Sequence, residues 1–177
     1  MYEHTYPEKR YRITLDFLKS VAPEGTRILD LGIKNPFGEI MKKEGFLVEN
    51  TGGEDLDEDR NSLSRSDAEL VTALEIFEHL LSPYEVLKSI KADKIVASIP
   101  LRLWFSNAYR SKTDPWDRHY HEFEEWQFDW LLEKTGWEIK KRKRWTHPVK
   151  KIGFRPLLRL FTPRYYMVYA ERVNHGQ

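Results

Sequence analysis

A chain of 177 residues is long enough for one domain and too short for two full cores. With 40% hydrophobic and 32% charged residues and a net charge of +1, its composition excludes wholesale disorder. The lack of cysteine excludes disulfides, thiol nucleophiles and zinc–thiolate sites, and no run of about 18 apolar residues exists to span a membrane. The first residues show no basic segment leading into an apolar one, so no secretory leader and a cytoplasmic location are expected.

Charge is unevenly spread. Between Glu44 and Asp93 thirteen acidic residues face four basic ones, whereas Ile139 to Ala170 carries ten basic residues and no acidic one. All six tryptophans fall between Trp104 and Trp145. Two faces with different tasks are implied.

In chain order, Tyr11, Leu15, Leu18 and Val21 or Ala22 share one side of a helix predicted over residues 7 to 21. Arg27 to Leu31 reads as a buried strand closed by Gly32. Asn35 is placed to cap the next helix, with Pro36 at its first position, and Gly45 ends it. Phe46 to Val48 starts a second strand. The acidic stretch Glu54 to Ser66 offers at most a short edge strand near Leu63. Leu70 to Leu74 is a strand, Ser82 to Glu85 a capping box opening a helix through Ile90, and Ile95 to Ile99 another strand. Residues 101–121 lack a period and form a long insertion. A helix through Trp126, Trp130 and Lys134 follows, and two last strands, near Trp137 to Lys141 and Tyr165 to Arg172, flank a basic segment.

Alternating strands and helices, with strands apolar on both faces, specify an α/β fold: a doubly wound, mostly parallel sheet with an antiparallel edge strand. Ligands of such sheets bind beyond the carboxyl ends of the strands. Asp30 to Gly38 forms the first strand–turn–helix passage there. It matches neither G-x-G-x-x-G nor G-x-x-x-x-G-K-[ST], which disfavours a dinucleotide oxidoreductase and a phosphate-binding loop.

Ile28 to Gly32 resembles the first motif of class I S-adenosylmethionine-dependent methyltransferases. Ala68 to Leu80, with Glu75 and the pair Glu78-His79, resembles the fourth-strand motif of that family. Ile95 to Pro100 resembles its fifth strand. His119-Tyr120-His121-Glu122-Phe123 and Leu131 to Trp137 resemble elements of its small-molecule, type 11-like branch. The resemblance covers about residues 25–141, in order. It implies a seven-stranded-type sheet, here with an abbreviated third unit between Asp55 and Ser66. It also implies a single domain of residues 1–177, comprising an N-terminal helix (1–24), a cofactor half (25–100) and a substrate half (101–177).

The resemblance further implies S-adenosylmethionine as cofactor and an unidentified, small-molecule acceptor. Asp30 and Gly32 would serve the methionine end, with Lys34 and Asn35 in the same loop. Glu54 and Asp55, with Asp57 nearby, are the nearest carboxylates for the ribose. Asp59 would meet the adenine and Glu75 the sulfonium. The first loop departs from the family by its few glycines, so the alternative is a non-catalytic binding or scaffold module that has lost the cofactor.

His119 and His121, two apart, are candidate general bases toward an acceptor or else loop histidines bonded to backbone. Spacing fixes no third ligand beside them, so no metal site is expected. Trp104 and Trp116 stand where an acceptor pocket would be walled, or cover the sheet. The basic stretch from Lys140 to Arg164, including Lys150 and Lys151, reads as a solvated face, an anion-attracting surface for nucleic acid, or, with Pro156 to Phe161, a seat on anionic lipid.

Overall fold

The computed structural model describes residues 8–114, 117–146 and 153–173. Trp116, Lys150 and Lys151 lie outside them. Helix α1 (Glu8–Lys19) leads into β1 (Arg27–Asp30), α2 (Pro36–Lys43), β2 (Leu47–Asn50), α3 (Asn61–Arg65) and β3 (Leu70–Leu74). A 3-10 turn (Phe77–His79), α4 (Pro83–Ser89), β4 (Lys94–Pro100), α5 (Glu125–Lys134), β5 (Trp137–Trp145), α6 (Phe154–Phe161) and β6 (Tyr165–Arg172) complete the order. Among the described residues no helix is long and apolar enough to cross a membrane.

The six strands form one sheet in the order β2-β1-β3-β4-β6-β5. The first four are parallel, and β6 runs antiparallel to both of its neighbours, β4 and β5. The two-residue period of the strands sorts their side chains between two layers. Leu29, Val71 and Ile95 point to the side covered by α4 and α5, where Leu87, Phe128 and Leu132 are buried. Ile28, Leu70 and Val96 point to the side covered by α1 and α2, through Phe17, Leu18, Phe37 and Met41. Each such side chain contributes about 1.5–3 kcal/mol of transfer free energy before entropy is counted.

Two expectations change. The segment around Leu63 is helical, not an edge strand. Leu63 is buried, and the Asp59 carboxylate accepts from the backbone N–H of Asn61 at 2.9 Å, which turns the chain into α3 and leaves β2 as the sheet's edge. The Ser82 capping box does not form, since Ser82 makes no side-chain cap bond. Instead Asp57 accepts from Leu81 N–H and Ser82 N–H, each at 2.8 Å, so it binds the N–H of the capping residue that a capping box would give to Glu85. Conversely, Glu124 and Gln127 form a reciprocal capping box at the start of α5.

Candidate functional site

The carboxyl ends of β1, β3 and β4 carry two adjoining cavities. The smaller, about 340 Å³, is lined by Asp30, Gly32, Asn35, Phe37 and Glu75 among others. The larger, about 780 Å³, is lined by Glu78, His79, Tyr109, His119 and Arg164 among others. Arg10, Leu74 and Glu75 line both. Both volumes lie in or near the range of small-molecule sites, about 300–1,000 Å³.

Asp30 organises the smaller cavity through sheet register. Asn50 of β2 and Thr72 of β3 are its direct partners across the sheet. The Thr72 hydroxyl donates to Asp30 Oδ1 at 2.6 Å, while the amides of Asn35 and Asn50 donate to Oδ2 at 2.9 and 3.0 Å. Burial raises the Asp30 pKa above its ordinary value, against these three hydrogen bonds. Asn35 is shared: its Oδ1 also accepts from Gly38 N–H at 3.0 Å, capping α2. One buried carboxylate thus sets the cap, the turn and the ends of three strands.

The turn that follows is held by backbone conformation. Gly32, at φ +106°, donates its N–H to the Thr51 hydroxyl at 2.7 Å. Ile33 crosses toward the loop after β2, where a Cβ on Gly53 would come within 2.6 Å of its Cγ2. Lys34 is exposed and does not line the cavity. Phe37 is buried in the wall against Tyr11, with ring centroids 5.1 Å apart. The hollow above β1 is therefore open despite the glycine-poor turn.

The acidic loop stands apart from that hollow. Glu54 accepts from the Ser62 hydroxyl, Asp55 from Asp57 N–H, and Asp59 from Asn61. None of Glu54, Asp55 and Asp59 lines the smaller cavity. Glu75, at the tip of β3, does. It adopts φ +57°, a left-handed conformation that costs a non-glycine residue about 1–2 kcal/mol, and its N–H donates to Ser98 C=O at 2.9 Å. Arg10 of α1 donates to its carboxylate.

The two histidines of the 119–121 segment diverge. His119 lines the larger cavity, with Nδ1 3.0 Å from Glu122 Oε1. Burial lowers its pKa, and the Glu122 hydrogen bond opposes the shift. His121 does not line that cavity. Its ring stacks on Phe123, centroids 5.4 Å apart, and Nε2 lies 3.4 Å from Leu81 C=O. Trp104 is exposed and lines neither cavity.

Sequence reasoning had no means to find three members of the larger cavity. Arg10, Tyr165 and Arg164 reach it from the two ends of the chain. Glu78, in the motif beside His79, is buried with no hydrogen bond to either carboxylate oxygen. Burial pushes its carboxyl well above the ordinary value, and the nearby Glu75 charge adds to this.

No protein-family model and no curated protein matches the chain. Solved structures do. A SAM-dependent methyltransferase from Archaeoglobus fulgidus is 18% identical, with a TM-score of 0.62 over 93% of this chain and 94% of the other. The 1,6-didemethyltoxoflavin-N1-methyltransferase of Burkholderia thailandensis, solved with its namesake compound and S-adenosylhomocysteine, is 15% identical. Its TM-score is 0.61 over 95% of this chain and 80% of that one. Magnesium protoporphyrin IX methyltransferase from Synechocystis PCC 6803, solved with SAM, gives 12% identity and a TM-score of 0.61, over 93% and 79% of the two chains. The chain has the class I SAM-dependent methyltransferase fold, with six strands among the described residues.

Proposed function

We propose that the protein is an S-adenosylmethionine-dependent methyltransferase acting on a small-molecule acceptor. The observation that carries this reading is the pair of adjoining cavities above the strand ends, with Glu75 lining both. Methyl transfer needs two seats meeting at one point, because acceptor, methyl carbon and leaving sulfur must align. The smaller cavity is the cofactor seat. Gly32, Asn35 and the start of α2 would meet its methionyl end, with Asp30 holding that loop in shape.

Glu75 would face the sulfonium, where a carboxylate favours the cationic cofactor over its neutral product. The ribose and adenine would have to extend out of this cavity toward the loop carrying Glu54, Asp55 and Asp59, which does not line it. Glu54 would exchange the Ser62 hydroxyl for a ribose hydroxyl. The acceptor would enter the larger cavity beside His119. No step requires His121.

Calorimetric titration with S-adenosylhomocysteine tests the reading. One equivalent should bind, raise the melting temperature, and bind at least tenfold more weakly to Asp30→Ala. No heat and no thermal stabilisation at millimolar ligand would overturn it and favour a non-catalytic module.

A further inference from the structure

Glu78, His79 and His119 place one donor atom each within 4.8 Å of one another. All three line the larger cavity. Glu78 and His79 close the 3-10 turn after β3, while His119 comes from the insertion forty residues on. The backbone joins them: Glu78 C=O accepts from Tyr120 N–H at 2.8 Å and from His121 N–H at 3.2 Å. That clamp holds His119 over His79, with ring centroids 5.0 Å apart and planes near perpendicular at 84°.

The hydrogen bonds fix both tautomers. His79 Nδ1 lies 2.9 Å from Arg118 C=O, which can only accept, so this nitrogen carries the proton. His119 Nδ1 lies 3.0 Å from the Glu122 carboxylate and is protonated for the same reason. As neutral imidazoles both rings then keep a lone pair on Nε2, and His79 Nε2 stands 3.8 Å from Glu78 Oε1. A carbonyl or carboxylate behind the far nitrogen is the usual support of a metal-binding imidazole. Glu78 supplies the independent sign. Its side chain is 1% exposed, and neither oxygen has a hydrogen-bond partner, an arrangement that folding tolerates poorly unless a ligand satisfies the carboxyl group.

We propose that Glu78, His79 and His119 bind a divalent first-row transition-metal ion in the wall of the larger cavity. Two imidazole nitrogens with one carboxylate oxygen suit Mn²⁺, Fe²⁺, Co²⁺ or Zn²⁺ better than Mg²⁺ or Ca²⁺, which prefer oxygen donors throughout. Donors bound at about 2.0–2.2 Å in a tetrahedron lie roughly 3.4 Å apart, so the three groups close inward slightly as the ion enters. Three protein ligands leave at least one position open toward the cavity, the pattern of reactive rather than structural sites. On the methyl-transfer reading, and resting on it, that position would take an oxygen of the acceptor.

The full chain, stripped with EDTA and dialysed, is titrated with Co²⁺ in the absence of cofactor. One equivalent should give visible d–d absorption that Zn²⁺ abolishes and millimolar Mg²⁺ does not. His79→Ala and His119→Ala should each weaken binding at least tenfold. Glu122→Ala should weaken it by about 10–100-fold by releasing the His119 ring. Glu78→Gln keeps the side-chain shape and should lose the absorption while melting cooperatively. His121→Ala, a ring outside the cluster, should bind as the parent does.

Absence of the band at one equivalent overturns the proposal. So does binding that survives loss of both His79 and His119, or displacement by Mg²⁺. These readouts need no cofactor, so a failed S-adenosylhomocysteine titration leaves them standing.

Discussion

Arg10 and Glu75 form an ion pair on the boundary between the two cavities, both residues lining each side. Arg10 comes from the helix that covers the sheet, and Glu75 ends β3 in a left-handed conformation. The guanidinium also lies 5.9 Å from the ring centroids of Tyr11 and Tyr165. The N-terminal helix thus contributes the cation that neutralises the carboxylate at the junction.

That pairing sets a contrast between cofactor and product. Arg10→Ala exposes the Glu75 charge to the sulfonium and should tighten S-adenosylmethionine about three- to tenfold relative to S-adenosylhomocysteine, roughly 1 kcal/mol for a partly solvated pair. Glu75→Gln should shift the ratio the other way. Parallel calorimetric titrations check both; equal changes for the two ligands would contradict the placement of Glu75.

Asp30 predicts a pH dependence of stability. Its folded pKa is raised, so between the ordinary value of 3.8 and the higher folded value the native chain binds more protons than the unfolded one. Wild-type stability from this group therefore falls as pH rises through that window and stays lower above it. Asp30→Asn keeps an oxygen toward Asn35 and Asn50 and turns its amide to the Thr72 hydroxyl. The variant should gain on the wild type from about pH 4 upward, in urea melts across a pH series. A wild-type advantage growing with pH would contradict this.

The start of α4 separates the roles of the Ser82 hydroxyl and the Asp57 carboxylate. Ser82→Ala should be nearly neutral, within about 0.5 kcal/mol, because that hydroxyl caps nothing. Asp57→Ala should cost about 1–2 kcal/mol through the N–H groups of Leu81 and Ser82. Denaturant midpoints with unchanged slopes would establish the order.

Gly53→Ala should destabilise by more than Gly32→Ala. Both glycines have positive φ, which costs an alanine about 1–2 kcal/mol. At Gly32 the new methyl meets Ile76 at an ordinary 3.7 Å, whereas at Gly53 it collides with Ile33 at 2.6 Å. Ile33→Ala in the Gly53→Ala background should restore part of the loss, which thermal melts of the double variant would show.

Tyr166 lines neither cavity; its hydroxyl donates to Asp129 Oδ1 at 2.7 Å and accepts from Arg142 Nε at 2.9 Å, tying α5 to β5 and β6. Burial first, and then the Asp129 bond, raise its pKa. Tyr166→Phe should cost about 1–2 kcal/mol of stability and leave S-adenosylhomocysteine affinity unchanged, separating stability from binding.

Local chemistry alone determined much of this molecule. The run from Arg27 to Gly32 could only be a short buried strand closed by a turn, and Asn35 followed by Pro36 could only open a helix well, because cap and ring act on backbone within three residues. The two-sided apolar strands likewise required a covered parallel sheet. Where a segment answered to a distant partner, tertiary structure decided. Asp57, 25 residues away, took the Ser82 N–H that a capping box would have given to Glu85, and Leu63 became helical once it had a core to enter. The spacing of His119 and His121 placed them together, but the clamp on Glu78 turned one toward His79 and left the other on Phe123. Local hydrogen bonds are encoded by neighbours in the chain; the company of His119, and the meeting of Arg10 with Glu75, exist only after segments separated by 40 and 65 residues have closed on one another.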